Sequence, residues 1–158
     1  MRTYLIPNHG SFYKANLHCH STVSDGKWTP EQIKENYKAR GYSIVAYTDH
    51  NVFVTHNELD EDFLPLNGYE LDFVQQNRIE GKSPKVCHVF FISLDENKKM
   101  QSIIFESRFI ERNFDKLCID NEKPLRQRQY NTEFISAIMA EGVADGFFVT
   151  YNCLHRQS

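Results

Sequence analysis

Histidines and carboxylates, the residue types that bind transition metals, lie close together in the first third of the chain. His18 and His20 are separated by one residue, an S-D-G sequence follows at 24–26, and a T-D-H-N sequence ends an apolar run at 48–51. Neutral imidazoles bind Zn, Mn or Fe, and a carboxylate on a tight turn can complete such a site. This pattern predicts a divalent metal site. The alternative is a pair of strand histidines satisfied by hydrogen bonds.

Strands are expected to position these groups, because each group lies in or directly after a short apolar run. Residues 15–21 are predicted as a strand in which period-two alternation places His18 and His20 on one face. A G-Y-E sequence at 68–70 and His88 lie within later apolar runs. Those later runs are predicted as four further strands, at residues 42–48, 64–74, 85–94 and 146–152.

Helical signals alternate with the predicted strands. A capping box at 29–32, with proline in the first turn, predicts a helix that stops near Gly41. Apolar residues recur at roughly helical spacing in 102–119 and in 132–141, and Gly142 is expected to end the second of these helices. Strands that are almost continuously apolar and alternate with helices predict an α/β fold with a largely parallel sheet. In α/β barrels, polar side chains at the carboxyl ends of the strands form the active site.

The composition is that of a single globular domain, residues 1–158. The chain carries 18 basic and 21 acidic side chains, a formal net charge of −3, which argues against a broad nucleic-acid-binding surface. No apolar run approaches the length of about 18 residues that a membrane span needs, and no signal peptide is recognisable. We therefore expect a cytoplasmic protein with no membrane partner.

Taken in order, the motifs resemble those of a known family. The H-x-H sequence at 18–20, the S-D-G at 24–26 and the T-D-H-N at 48–51 look like the first two motifs of the PHP family, the polymerase and histidinol phosphatase group of metal-dependent phosphoesterases. The G-Y-E at 68–70 and His88 are similar to the next ligand-bearing segments of that family. The resemblance covers most of the chain, from about residue 16 to residue 152.

This resemblance implies a distorted (β/α)7 barrel with two or three divalent metal ions (Zn, Mn or Fe) at its C-terminal rim. It also implies a hydrolase that cleaves phosphoesters. Carried over residue by residue, His18 and His20 would bind the first metal together with Glu70. Glu70 would bridge to a second metal that also takes His88.

Asp25 and His50 match family positions that contribute to a third metal or to the substrate side of the cluster. The resemblance therefore assigns catalysis to Asp25, His50 and Glu70. Asp49 alternates away from His50 in an extended strand. We expect Asp49 to orient a ligand rather than to bind metal itself.

Elementary chemistry agrees with the reaction that the family implies. A phosphate ester is anionic and repels hydroxide, so its hydrolysis at neutral pH needs charge neutralisation and a deprotonated water. Two cations about 3.5–4 Å apart supply both. The expected substrate is a small phosphomonoester, a nucleotide or a nucleic-acid end.

The C-terminal part departs from the family pattern. The family carries a further histidine ligand after its fifth strand, whereas here Cys153 and His155 follow in a different register. Either could replace that ligand, or both could belong to a terminal tail. Because β/α barrels typically need about 200–250 residues, we expect an incomplete barrel with about five strand units. Its exposed sheet edges would favour a homo-oligomer, and the alternative function is that of a metal-binding, catalytically inactive remnant.

Other candidate residues carry weaker signals. Lys123, Arg126 and Arg128 could contact a substrate phosphate, and a solvated loop explains them equally well. His9 and His56 lie in polar stretches and are expected to be solvated.

Overall fold

The computed structural model describes residues 9–56, 62–76, 80–119 and 125–152. No helix in this part of the chain has the length and apolar character needed to cross a bilayer. In chain order the elements are β1 (Ala15–Cys19), α1 (Pro30–Lys38), β2 (Ile44–His50), β3 (Leu64–Val74), β4 (Val86–Ser93), β5 (Met100–Gln101), α2 (Arg108–Arg112), a 3-10 turn (Phe114–Lys116), β6 (Cys118–Ile119), α3 (Thr132–Ala144) and β7 (Phe147–Asn152).

Five strands form a curled, half-barrel sheet in the order β1-β2-β3-β4-β7. The pairings of β1 with β2 and of β2 with β3 are parallel, whereas β4 is antiparallel to both of its neighbours. The prediction of a largely parallel sheet is therefore wrong for β4. Only 11 residues of sequence separate the end of β3 from the start of β4, fewer than the crossover between parallel strands needs. As a consequence, the start of β4 lies at the same edge as the ends of β1, β2, β3 and β7.

The first helix confirms its sequence signal. The Thr29 hydroxyl accepts from the Gln32 backbone N–H, and the Gln32 side chain accepts from the Thr29 N–H. Ile33 of this helix is buried against Val45 and Tyr47 of β2. This packing fixes β2, which carries the T-D-H-N sequence, against α1.

The main core packs α3 onto β3, β4 and β7, and α3 runs through Gly142, where the sequence predicted its end. A Cβ atom at Gly142 would lie 2.3 Å from Phe91 Cε1. Glycine is therefore needed there for close packing of the helix on β4. The helix ends at Ala144, and Gly146 adopts the positive φ of 84° that follows it.

The segment 102–119 is not the single helix that its apolar spacing predicted. Ile103 and Phe105 pack into the main core, whereas Ile104 between them packs into a separate apolar cluster. Such alternation over two residues is that of an extended chain, and it overrides the helical spacing. Helical structure here is confined to α2, which begins after the Ser107 cap, and to the following 3-10 turn.

Candidate metal centre

The half-barrel brings all six residues that the family resemblance assigned to metal binding to one edge of the sheet. His50 lies beside Glu70 in the β2–β3 pairing, and His88 enters the same edge from the start of β4. The six side chains form a connected cluster of contacts: His18, His20, Asp25, His50, Glu70 and His88.

Glu70 lies at the centre of this cluster, and only 1% of its side chain is exposed. Its Oε2 is 3.1 Å from His20 Nε2 and 3.2 Å from His50 Nδ1. Its Oε1 is 3.1 Å from His88 Nδ1. Three imidazoles thus converge on the two oxygens of one buried carboxylate.

Two of these short contacts, those made by Glu70 Oε2, lack hydrogen-bond geometry. Glu70 Oε2, His20 Nε2 and His50 Nδ1 are buried and have no hydrogen-bond partner among the described residues. Buried polar atoms are normally hydrogen-bonded. Nitrogen and oxygen atoms that converge in this way, with no hydrogen bond between them, are the arrangement expected of ligands around a cation.

Two groups of three side chains could each hold a metal ion. The first is His18, His20 and Glu70, and the second is His20, Asp25 and His50; within each group the ligand atoms lie within 4.8 Å of one another. The first group has the composition that the resemblance implied for the first metal. His20 belongs to both groups, so the two candidate positions adjoin.

The surroundings set protonation states that suit metal ligands. Burial opposes ionisation of Glu70, but contacts with His20 and His88 outweigh it and hold the pKa of Glu70 well below its ordinary range. Burial lowers the pKa of His18 to about 4 and also lowers the pKa of His50. At neutral pH, Glu70 is therefore a carboxylate while His18 and His50 are neutral imidazoles, the forms that bind metals.

His20 and His88 behave differently from the other two histidines. Burial disfavours the charged form of His20, but its contacts with Glu70 and Asp25 raise its pKa above the ordinary value. Contact with Glu70 raises the pKa of His88. A bound cation therefore competes with protons for these two imidazoles more than for His18 and His50.

Thr48 and Phe90 orient His18. The Nδ1 atom of His18 is 2.7 Å from the Thr48 hydroxyl oxygen, and its ring stacks on Phe90 with ring centres 4.2 Å apart. When Nδ1 carries the proton, it donates to Thr48, and the lone pair then lies on Nε2. Such outer hydrogen bonds fix the tautomer of a metal-binding histidine.

Asp49 is buried and holds the turn that carries Asp25, which is the position that its predicted orienting role requires. Its Oδ1 accepts from the backbone N–H groups of Ser21 at 2.8 Å and Ser24 at 3.1 Å, and from the Ser24 hydroxyl at 2.6 Å. Its Oδ2 accepts from the Ser21 hydroxyl at 2.8 Å. All four hydrogen bonds that this carboxylate makes among the described residues are with the turn.

The opposite side of the same turn is held by α2. The Arg112 guanidinium donates to the backbone oxygens of Thr22 at 3.1 Å, of Val23 at 2.6 Å and of Ser24. Asp49 of β2 thus accepts from the N–H and hydroxyl groups of the turn, and Arg112 of α2 donates to the carbonyl oxygens of the turn. No local pattern pointed to Arg112, because its partner Thr22 lies 90 positions away.

We expect Asp49→Ala to weaken metal binding by about 10–100-fold, the usual result of removing a contact that orients a ligand. The substitution leaves four donors of the buried turn without their acceptor, so Asp25 loses its fixed position. Asp49→Asn is the matched control, because it keeps the shape and one acceptor oxygen and should weaken binding far less. Titration with Zn²⁺ against a competing chelator measures the affinities. Equal affinities for wild type and Asp49→Ala would contradict the role of the turn.

A pocket of about 320 Å³ adjoins the cluster. It opens between the ends of β2 and β3, the start of β4 and the start of α2. Its charged and imidazole lining residues are Asp25, His50, Asp72, His88, Glu106, Arg108 and Arg128. The candidate metal ligands therefore face a space that a small molecule can enter.

The basic residues and histidines with weaker sequence signals differ in their surroundings. Arg128 lines the pocket, whereas Arg126 pairs with both oxygens of Glu141, at 2.6 and 2.9 Å. His9 is exposed, as expected. His56 is half-buried with its ring 4.5 Å from that of Tyr47, so the expectation that it is solvated is wrong.

The three remaining candidates, Lys123, Cys153 and His155, lie outside the described residues. Asn152 at the end of β7 pairs with His88 across the sheet, and its side-chain nitrogen is 3.5 Å from Glu70 Oε1. The end of β7 therefore also reaches the cluster.

Together, the fold and the site define a mixed α/β protein with a candidate divalent metal centre at the edge of a curled sheet. No protein-family model matches the chain, and no curated protein matches it.

Proposed function

We propose that this protein is a metal-dependent phosphoesterase of the PHP type, whose half-barrel sheet holds two or three divalent ions. The observation that carries the proposal is the convergence of His20 Nε2 and His50 Nδ1 on Glu70 Oε2, at 3.1 and 3.2 Å, with no hydrogen bond between them. Leaving three buried polar atoms unpaired is costly. A bound cation removes that cost.

The donor set fits Zn, Mn or Fe, because these ions accept mixed imidazole and carboxylate ligands. When bound, such ions neutralise phosphoryl charge and lower the pKa of water. Glu70 contacts different histidines through its two oxygens, which suits a carboxylate that bridges two ions. Asp25 is 48% exposed and lies 2.8 Å from His20 Nδ1 and 3.8 Å from His50 Nε2. We therefore assign Asp25 and His50 to the side of the cluster that faces the substrate.

The pocket favours a small phosphorylated substrate or a nucleotide. Its volume of about 320 Å³ lies at the lower end of the range of roughly 300–1,000 Å³ found for small-molecule sites. The net charge of −3 also disfavours extended contact with a nucleic-acid backbone.

Reconstitution with Zn²⁺ or Mn²⁺ followed by a phosphatase assay tests the proposal. We expect the wild-type protein to bind metal and to hydrolyse a phosphomonoester. A His18→Ala, His20→Ala double variant should be more than about 100-fold slower, since it loses ligands rather than an outer contact.

Hydrolysis by the double variant at the wild-type rate would refute the proposal. One bound ion per chain with no turnover of any phosphoester would favour the second function, a metal-binding but inactive remnant of the same fold.

A further inference from the structure

A guanidinium is fixed in the pocket beside the candidate metal ligands. Arg128 Nη1 donates to Asp72 Oδ2 at 3.0 Å, and Nη2 donates to Asn51 Oδ1 at 2.7 Å. Its Cζ atom lies 5.1 Å from the centre of the Phe105 ring. The position and plane of the guanidinium are therefore set before any ligand arrives.

The residues that hold Arg128 belong to the strands that hold the metal ligands. Asn51 directly follows β2 with a φ of 64°, and its backbone N–H donates to the Glu70 carbonyl oxygen at 2.7 Å. Its side-chain amide donates to Asp72 Oδ1 at 2.8 Å. Asp72 in turn lies opposite His88 in the β3–β4 pairing. Arg128 is thus attached to the same edge of the sheet as the cluster.

Arg128 has donors to spare. A guanidinium carries five N–H groups, and each terminal nitrogen of Arg128 keeps a second N–H after donating to Asp72 or Asn51. Arg128 also lines the pocket. Planar guanidinium groups match the oxygens of a phosphoryl group better than an ammonium does.

A second guanidinium lines the pocket. Arg108 is exposed at the start of α2, with its Cζ atom 4.7 Å from the centre of the Phe109 ring. That ring lies parallel to His50, at 6.0 Å between ring centres. One fixed arginine and one exposed arginine therefore adjoin the ligand cluster.

We propose that Arg128, assisted by Arg108, forms a phosphoryl-binding subsite that selects dianionic phosphate monoesters over diesters. The inference rests on the proposed phosphoesterase function. A monoester presents three charged oxygens, whereas a diester presents two and replaces the third with an uncharged ester oxygen. A guanidinium placed beside the metal ligands can donate to the additional charged oxygen, and it therefore stabilises a bound monoester more than a bound diester.

The overall reaction is balanced with water as the only co-reactant. The oxygen of water forms a new bond to phosphorus, the P–O bond to the alcohol breaks, and the departing alkoxide takes a proton from that water. The products are the alcohol and inorganic phosphate. Inorganic phosphate is therefore a direct probe of the subsite.

Carboxylates also line the pocket, so the experiment requires metal-loaded protein. Asp25, Asp72 and Glu106 lie in the same lining as the two arginines. Arg128 pairs with Asp72, and bound cations would offset the charge of the ligand cluster. The probe is inorganic phosphate, titrated by calorimetry into Zn²⁺-loaded protein.

Arg128→Met should raise the Kd for phosphate by about 10–100-fold, the value expected for loss of charge-assisted hydrogen bonds. Arg126→Met is the matched control, because it lies on the same segment but its guanidinium pairs with Glu141. Its Kd should stay within about twofold of wild type, because its partner lies outside the pocket. Zn²⁺ content should be the same in all variants.

Arg108→Met keeps the test decisive if Arg128→Met folds poorly, since Arg108 is exposed. It should raise the Kd by about 3–10-fold. An Arg128→Gln, Asp72→Asn double variant removes both charges of the ion pair together and is the second route to the same measurement. Wild-type phosphate affinity in Arg128→Met, in Arg108→Met and in the Arg128→Gln, Asp72→Asn double variant overturns the subsite.

Kinetics separate this inference from the proposed function. Arg128→Met should lower kcat/KM for phenyl phosphate by about 10–100-fold and that for diphenyl phosphate far less. Equal losses on both substrates overturn the preference for monoesters. Phosphate binding that depends on Arg128 without any hydrolysis rejects the proposed function alone. Hydrolysis that is unchanged in Arg128→Met rejects the subsite alone, and wild-type protein that binds no metal rejects both.

Discussion

Replacing Glu70 with glutamine is expected to abolish metal binding and hydrolysis together. Glutamine has nearly the same shape, so the buried packing survives, but the negative charge and one acceptor oxygen are lost. Glu70 is the only described side chain that contacts His20, His50 and His88. We therefore expect a loss of kcat/KM of more than about 100-fold, beyond that of removing an outer contact.

Metal analysis by mass spectrometry, on protein loaded with Zn²⁺ and then desalted, measures the effect of Glu70→Gln. Glu106→Gln is the matched control, because it makes the same chemical change on an exposed carboxylate of the same pocket and should leave metal content unchanged. His88→Ala should lose only part of the metal, since His88 contacts Glu70 but lies in neither three-residue ligand group found among the described residues. Retention of all the metal by Glu70→Gln would exclude a bridging role for Glu70.

The fold was predictable where burial and local chemistry agree. The repeated apolar residues of 64–74 predicted β3 with its observed bounds, and the capping box predicted where α1 begins. The prediction of a helix failed at 102–119. There, apolar side chains at helical spacing pack into two separate apolar clusters, and residues 103–105 are extended. Local spacing cannot reveal which of two cores a side chain enters, because that depends on distant parts of the chain.

The difference between local and long-range contacts also explains which parts of the site were predictable. His20 directly follows β1, His50 ends β2, and Glu70 and His88 lie within β3 and β4, so the fold brings them together once the strands pair. The contacts that hold these residues in place are long-range. Arg112 contacts a turn 90 positions away, and Arg128 contacts Asn51 across 77 positions. Arg128 was visible only as one of three basic residues in a charged stretch.

Replacing Gly26 with alanine is expected to open the turn that joins His20 to Asp25. A Cβ atom at this position would lie 2.1 Å from the His20 carbonyl oxygen and 2.7 Å from the Ser21 nitrogen. These are backbone atoms, so no side-chain rotation relieves the clash. We expect the free energy of unfolding to fall by about 3 kcal/mol or more and the Tm by about 6–12 °C.

The same substitution should also weaken metal binding, because Gly26 donates to the Ser21 carbonyl at 2.8 Å and so closes the turn that presents Asp25. Gly41→Ala separates this clash from simple backbone strain. Gly41 has a φ of 75° and nothing within 4 Å of an added Cβ, so alanine there should cost about 1–2 kcal/mol and leave metal affinity unchanged. Thermal unfolding with and without Zn²⁺ measures both effects. If Gly26→Ala is destabilised yet gains as much from Zn²⁺ as wild type does, then Asp25 does not bind the metal, and the site must be built from the histidines and Glu70 alone.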